Sequence, residues 1–335
     1  MYNLFLIFLF SGCLSAPEKV AEAEPDRGEA LETPASTSDD TEPESDTGSA
    51  GSDASQEPPI EPDGTPDDEP TDEPTDEGDG DAVAEDDENE VPVLSVRGPD
   101  YVISSTGSFA AADDCTITYT RYEAMSGESL GDAFILHGFM RGQDQFSSLA
   151  SHLASWGITS TTVDLCHSSI IDVDAEQNAR DVIDLANHLG ADRVVWMGQS
   201  NGGVSALIAG GMAPEITVGV LGLDPVESFA GSGADWSDDV ESPAAALFGI
   251  SDSCNDSNSG YPVYAAAADS VTLRITESDH CSFEFPTGLL CTALCERPKT
   301  LFTGSDISKT ILEFSTAWAL ERLDDTFDGS SWWTE

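Results

Sequence analysis

Cations are scarce in this sequence. The chain has 335 residues, with 12 lysines and arginines against 64 aspartates and glutamates, and its formal net charge is −52 at pH 7. Lysine occurs only at Lys19, Lys299 and Lys309. Proteins that bind nucleic acids or other acidic polymers rely on lysine and arginine to neutralise the partner's charge. The composition therefore argues against nucleic acid as a partner.

Hydrophobic runs long enough to span a membrane are also lacking. The apolar run at residues 4–10 is too short for a transmembrane helix but suits the hydrophobic region of a signal peptide. It ends in Phe10-Ser11-Gly12-Cys13, which is similar to the bacterial lipobox, with Phe10 where leucine is usual. We expect a lipoprotein-type signal peptide over 1–12, lipidation of Cys13, and an anchored protein in the bacterial periplasm or on the cell surface. The alternative is an ordinary signal peptide with an incidental cysteine.

Aromatic residues are missing from the stretch after this cysteine, and valine and isoleucine are rare there. Residues 18–90 hold 29 of the 64 acidic residues but only two basic ones, Lys19 and Arg27. Such a segment cannot bury enough apolar surface to offset its ordering entropy. We therefore expect a disordered acidic linker over 13–91 that extends by self-repulsion, followed by one folded domain over 92–335.

Cysteine is infrequent, but its number is informative. Removing Cys13 from the seven leaves an even number, as expected for disulfides in an exported domain. Six cysteines allow 15 pairings, and the sequence does not choose among them. The spacing Cys291-x3-Cys295 lacks the second close ligand pair of a zinc site, so no metal is expected. The six are Cys115, Cys166, Cys254, Cys281, Cys291 and Cys295.

Short apolar strands alternate with helical patterns through the folded part. The last four predicted strands are short and apolar, as both-face burial in a parallel sheet requires, and the helices show apolar residues at helical spacing. This alternation predicts an α/β fold with a mostly parallel central sheet covered by helices on both faces. Strands are predicted at 101–105, 115–121, 133–136, 158–163, 193–197, 216–223, 244–250 and 271–276, with helices at 146–156, 179–189, after 202, and around 307–318.

A candidate nucleophile follows the strand 193–197. The sequence Gly198-Gln199-Ser200-Asn201-Gly202 lies between that strand and a small-residue helix. A G-x-S-x-G motif in this context is the sharp turn that exposes the catalytic serine of an α/β-hydrolase. The backbone N–H of Asn201, just after the serine, is one expected oxyanion donor, and that of Phe139, in the loop His137-Gly138-Phe139, is the other.

The general base is expected after the serine, because this fold orders nucleophile, acid and base along the chain. His280 is the histidine that satisfies this order. His137 precedes a glycine in the oxyanion loop, where a histidine usually holds the loop by hydrogen bonding. The acid is either Asp224 or Asp252, since each follows a predicted strand.

With these residues, the domain resembles the chlorophyllase and polyester-hydrolase (cutinase-like) branch of the α/β-hydrolases, and it is also similar to platelet-activating-factor acetylhydrolases. The resemblance covers about residues 130–323 and rests on His137-Gly138-Phe139, the serine motif with Gly203, Leu223-Asp224-Pro225-Val226, and the His280 segment. Chlorophyllases and the acetylhydrolases place the acid where Asp224 stands; polyester hydrolases place it at Asp252. The match at Leu223-Asp224-Pro225-Val226 favours Asp224 as the acid. Gln199 and the cysteines around His280 depart from the family pattern.

The expected activity is hydrolysis of carboxylic esters through an acyl-enzyme, with Ser200, His280 and Asp224 as the triad and no cofactor. The substrate would be a small-molecule or polymer ester, and the N-terminal lipid would be the contact with the membrane. An alternative of another class is an inactive surface binding or adhesion module on a hydrolase scaffold. A peptidase or acyltransferase with the same triad is also open.

Overall fold

The computed structural model describes residues 93–112, 114–169, 171–227 and 231–333. The expected signal peptide over 1–12, Cys13 and the linker over 13–91 lie outside the described residues. Among the described residues, none of the helices combines the length and the apolar character needed to cross a bilayer.

Short strands buried on both faces form the centre of the domain. Every residue of the four strands that begin at Asp132, Thr159, Val194 and Ala244 is buried. Three of these strands are mainly apolar, as burial on both faces requires, whereas Thr159–Val163 consists mostly of threonine and serine. The strands are β1 (Val102–Ala110), β2 (Thr116–Ala124), β3 (Asp132–Leu136), β4 (Thr159–Val163), β5 (Ser168–Ser169), β6 (Asp172–Val173), β7 (Val194–Gln199), β8 (Thr217–Leu223), β9 (Ala244–Phe248) and β10 (Ser270–Arg274).

Eight of these strands make one sheet in the order β1-β2-β4-β3-β7-β8-β9-β10. The pairs β1–β2 and β2–β4 are antiparallel, and all the other neighbours are parallel. This is the strand order of the α/β-hydrolase fold. The two remaining strands, β5 and β6, pair as a small separate hairpin that the sequence did not predict. The carboxyl ends of the parallel strands meet at one edge of the sheet, where ligands bind in open α/β sheets.

Helices cover both faces of the sheet. Phe134 and Leu136 point into a core with residues of α2, α3 and α5, whereas Ala133 and Ile135 point into a core with residues of α1 and α7. The predicted α/β fold with helices on both faces is confirmed. The helices are α1 (Ser147–Ser155), α2 (Ala175–Leu189), α3 (Asn201–Met212), α4 (Ser232–Trp236), α5 (Tyr261–Ala266), α6 (Leu289–Leu294) and α7 (Gly304–Leu323).

Helix α2 illustrates how local sequence sets these boundaries. The Asp174 side chain accepts the N–H groups of Glu176 and Gln177, which caps the first turn. Gly190 ends the helix with φ 76°, a left-handed conformation that glycine adopts without a steric penalty.

Strand β9 ends earlier than its apolar pattern predicted. The expected strand ran to residue 250, but β9 stops at Phe248. The N–H of Gly249 donates a hydrogen bond to the side chain of Asp224, and the N–H of Ile250 donates one to the carbonyl of Ser278. The strand end is therefore set by groups of other loops, which the pattern of apolar residues does not contain.

Three disulfides join the six cysteines of the domain: Cys115–Cys166, Cys254–Cys295 and Cys281–Cys291. Disulfides persist in oxidising compartments, so they indicate an extracytoplasmic protein. The last two pairs join the segment around α6 to the loops that follow β9 and β10.

Candidate active site

Ser200 stands at a strained turn between β7 and α3. Its backbone has φ 57° and ψ −129°, a conformation that costs a residue with a side chain about 1–3 kcal/mol. Three backbone hydrogen bonds hold it there: its N–H donates to the Leu223 carbonyl at 3.2 Å, and its carbonyl accepts the N–H groups of Gly203 and Val226, both at 3.0 Å. The strand-to-helix turn predicted from the sequence is present, and its geometry is fixed by the end of β8.

The glycines of the motif are required by close backbone packing. A Cβ atom at Gly198 would overlap the carbonyl oxygen of Gly202, and one at Gly202 would overlap the carbonyl oxygen of His137. A Cβ atom at Gly138 would lie 2.7 Å from the Cβ of Ser200. The loop that contains Phe139 is thereby packed directly against the serine.

Asp224 and His280 meet at the carboxyl edge of the sheet. The Asp224 Oδ2 atom lies 2.7 Å from Nδ1 of His280, across 56 residues of sequence. The carboxylate is fully buried, and His280 is 5% exposed. Oδ1 accepts the N–H of Gly249 at 2.8 Å, and the Asn255 amide lies 3.2 Å from Oδ2. These contacts fix the carboxylate so that it faces the imidazole.

Asp252, the other candidate acid, faces away from this pair. Its Oδ2 lies 2.9 Å from Nε of Arg297, and its Oδ1 accepts the N–H of Cys254 at 2.7 Å. The structure thus brings Asp224, and not Asp252, into contact with His280.

The neighbour of the histidine, Asp279, is also occupied elsewhere. Burial alone would raise its pKa, but hydrogen bonds from the Arg297 N–H, the Lys299 ammonium and Ser282 outweigh burial and lower it. Asp279 also caps the 3-10 turn His280–Phe283, since it accepts the N–H of Ser282 at 3.0 Å. Its carboxylate therefore fixes the turn that carries His280.

The other ring nitrogen of His280 contacts a residue that the sequence did not assign to the site. The amide nitrogen of Gln199 lies 3.0 Å from Nε2 of His280. Within the described part of the chain, no hydrogen bond joins the Ser200 hydroxyl to His280. Gln199 stands inside the serine motif, so its position was visible in the sequence, but the direction of its side chain was not.

The expected oxyanion donors lie beside Ser200. The N–H of Asn201 is the first of α3, and the first N–H groups of a helix have no partner within it. The N–H of the next loop residue, Met140, donates to the Ser168 carbonyl at 2.8 Å, which ties the Phe139 loop to the β5–β6 hairpin. The N–H of Asn201 directly follows the serine, and that of Phe139 lies in the loop packed on it. The role of these two groups as oxyanion donors stays a prediction.

His137 holds this loop from within. Its Nδ1 lies 2.8 Å from the Gly138 carbonyl, and its Nε2 accepts the N–H of Leu165 at 2.9 Å. Burial lowers the pKa of His137 and favours the neutral ring, which this pair of contacts requires. A neutral ring with both nitrogens engaged stabilises the loop.

A largely buried ion pair joins the Phe139 loop to the segment of His280, and sequence reasoning missed it. Arg141 Nε lies 2.5 Å from Oε1 of Glu284, whose side chain is fully buried. The other carboxylate oxygen accepts the N–H of Gly288, just before α6, at 2.7 Å. The partners are 143 residues apart, so no local spacing could have indicated the pair.

Sulfur is concentrated near this edge. The Sγ atoms of Cys281, Cys291 and Cys295 lie within 4.8 Å of one another. All three belong to disulfides, and a metal requires the free thiolate. As paired here, these sulfurs serve as crosslinks.

The three remaining histidines have structural contacts. His152 is buried, with Nε2 2.8 Å from the Leu94 carbonyl, and its pKa is lowered by burial. His167 pairs with Asp172 at 2.9 Å, and His188 packs on the ring of Phe109. None of them contacts Asp224 or Ser200 within the residues that the structure describes.

Comparisons with known proteins leave this geometry as the main evidence about function. No protein-family model matches the chain, and a search of curated proteins found no significant match.

Proposed function

We propose that the protein is a serine hydrolase that cleaves carboxylic esters through an acyl-enzyme. The observation that carries this proposal is the buried 2.7 Å contact between Asp224 and His280, at the same sheet edge as the strained turn of Ser200. A buried Asp–His pair beside a serine on a strand-to-helix turn is the arrangement that activates serine hydroxyls in hydrolases.

Each residue has a defined role in the proposed reaction. Ser200 Oγ attacks the ester carbonyl while its proton passes to Nε2 of His280. Asp224 keeps the proton of the neutral ring on Nδ1 and stabilises the imidazolium. The N–H groups of Phe139 and Asn201 stabilise the negative oxygen of the tetrahedral intermediate. His280 then protonates the leaving alcohol. A water molecule, activated by His280 in the same way, attacks the acyl-enzyme and releases the carboxylic acid.

The contact of His280 with Asp224 supports the chlorophyllase-like arrangement over that of polyester hydrolases. Asp224 follows β8, the strand directly after the serine, whereas Asp252 follows β9 and pairs with Arg297. We accordingly assign Asp224 as the acid and place the enzyme nearest that branch.

Exposed apolar side chains on the segments around the site suit an ester with apolar groups. Phe139 and Met140, in the oxyanion loop, are 39% and 44% exposed, and Leu289 and Leu294 of α6 are 90% and 62% exposed. The acidic composition of the chain disfavours anionic substrates. We propose a neutral small-molecule or polymer ester as the substrate, with no metal or organic cofactor.

The three disulfides support export. We propose that the exported enzyme is held at the membrane by a lipid on Cys13, with the acidic linker as spacer.

A fluorophosphonate probe separates this function from a binding or adhesion module, because only an activated serine reacts with it. We expect one label per wild-type chain, on the peptide that contains Ser200, and none in Ser200→Ala. Ser205→Ala, which removes another buried hydroxyl from the same helix, is the matched control and should still be labelled. Absence of labelling in the folded wild-type protein would exclude the proposed enzyme.

With labelling established, p-nitrophenyl esters of graded chain length identify the acyl group that the site accepts. Ser200→Ala should lower turnover of the best ester by several orders of magnitude.

A further inference from the structure

The Gln199 side chain occupies the proton-accepting nitrogen of His280. Since Asp224 accepts a hydrogen bond from Nδ1, the neutral ring carries its lone pair on Nε2. The amide nitrogen of Gln199 lies 3.0 Å from that lone pair and donates to it. The same nitrogen is 3.5 Å from the His280 carbonyl oxygen, so the amide faces both the ring and the backbone of this histidine.

The other end of the amide is a buried acceptor. Gln199 is 1% exposed, and its Oε1 has no hydrogen-bond partner among the described residues. Gly138 covers this oxygen so closely that a Cβ atom there would lie 2.5 Å from it. A buried polar atom without a partner is costly, and such atoms occur where a function uses them.

We propose that Gln199 is a positioning residue that holds the neutral His280 ring by donating its amide N–H to Nε2. The inference rests on the proposed function. Before the reaction the amide N–H donates to Nε2 of the neutral ring. Nε2 has one lone pair, so this N–H has to move off it before the Ser200 hydroxyl can donate there. Because Oε1 has no hydrogen-bond partner among the described residues, no hydrogen bond of the amide oxygen opposes that movement. When Ser200 then attacks, its O–H bond breaks, an N–H bond forms at Nε2, and the proton later passes to the leaving alcohol.

The charged groups around His280 already have partners of their own. Asp224 faces Nδ1, Asp279 pairs with Lys299, and Glu284 pairs with Arg141. Asp252 pairs with Arg297 on the neighbouring loop. Substitutions of Gln199 leave these pairs in place, so a change in pH dependence reports the amide itself.

The test compares Gln199→Met and Gln199→Glu with the wild-type protein, using kcat/KM for p-nitrophenyl acetate between pH 5 and 9. Met fills the same space but cannot donate to the neutral ring. The acid limb of its profile should move up by roughly half a unit to one unit, which is the effect of one neutral hydrogen bond. Glu places a carboxylate against Nε2, favours the imidazolium, and should move the limb further. KM should change less than about twofold, because Gln199 contacts the base and not the substrate.

Gln199→Asn keeps the amide but is one methylene too short to reach Nε2, so it should behave as Gln199→Met does. It also replaces that variant if the methionine protein does not fold. Gln177→Met, at a half-buried glutamine of α2 whose amide donates to Asp181, is the matched control and should leave the profile unchanged. An active Gln199→Met protein with the wild-type profile would show that Gln199 only fills space, and would overturn the proposal.

A spectroscopic measurement separates failure of this inference from failure of the proposed function. In the Ser200→Ala background, the ¹⁵N signal of His280 Nε2 should shift toward that of a free acceptor when Gln199 becomes Met. An unchanged signal overturns the contact whatever the activity. Absence of ester turnover in the wild-type protein overturns the proposed function, and the proton-transfer role with it.

Discussion

Arg141 and Glu284 form a 2.5 Å ion pair that joins the Phe139 loop to the chain just after His280. The Glu284 side chain is fully buried and that of Arg141 is 12% exposed, so water screens the pair only weakly. The pair connects two parts of the candidate site, the Phe139 loop and the segment after His280, which are far apart in the sequence.

Removing one charge of this pair should destabilise the fold. Glu284→Gln leaves the Arg141 guanidinium without a countercharge, which costs about 3–5 kcal/mol for a buried pair. Urea unfolding measures the loss. Glu176→Gln, in the exposed pair Glu176–Arg180 on α2, is the control and should cost under about 0.5 kcal/mol. Equal losses in the two variants would show that the Arg141–Glu284 pair contributes no more than a surface contact.

Replacing the candidate acids one at a time distinguishes their roles. Asp224→Asn should lower turnover on the order of 10⁴-fold, because the amide no longer keeps His280 in the productive tautomer. Asp252→Asn removes only the pairing with Arg297 and should cost less than about tenfold. Kinetics with p-nitrophenyl esters, after circular dichroism has shown both variants to be folded, make the comparison. The reverse order of effects would assign the acid to Asp252.

The carboxylate of Glu277 should make the attachment of a loop depend on pH. The Thr300 hydroxyl and the N–H groups of Leu301 and Phe302 donate to it and lower its pKa to about 2. The stabilisation is complete above the ordinary value of 4.5 and is lost as the pH falls toward 2.

Thermal unfolding of Glu277→Gln and wild type measures this effect. The difference between their Tm values should be constant from pH 8 to about 5 and shrink at lower pH. Glu241→Gln, at an exposed glutamate before β9, is the control. A Tm difference for Glu277→Gln that does not vary with pH would contradict the assignment.

Lipidation at Cys13 is tested by partitioning. In a bacterial host, the wild-type chain should enter the detergent phase, whereas Cys13→Ser should remain in the aqueous phase because it lacks an acyl anchor. Cys115→Ser removes a disulfide cysteine of the folded domain and serves as the control that should still partition with detergent. Detergent partitioning of Cys13→Ser would place the anchor elsewhere.

The elements of the domain were predictable because their signals are local. Apolar runs such as 133–136 and the helical spacing that ends at Gly190 correspond to β3 and α2. The order of Ser200, Asp224 and His280 along the chain was also enough to nominate residues that lie at one sheet edge. What the sequence could not give were contacts between distant segments. The sequence favoured Asp224 over Asp252 only through a family resemblance. The contact of Asp224 with His280, the Arg141–Glu284 pair and the disulfide pairing all depend on how loops from different strands meet.

The backbone conformation of Ser200 is one that glycine would adopt with less strain than serine. At φ 57° and ψ −129°, glycine would avoid a strain of about 1–3 kcal/mol, partly offset by its larger entropy in the unfolded chain. Selection for a stable scaffold alone would therefore accept glycine at this turn, as a module that only binds or adheres would. A serine at the strained point of the turn carries this thermodynamic disadvantage, and the proposed reactive hydroxyl is the benefit that would balance it.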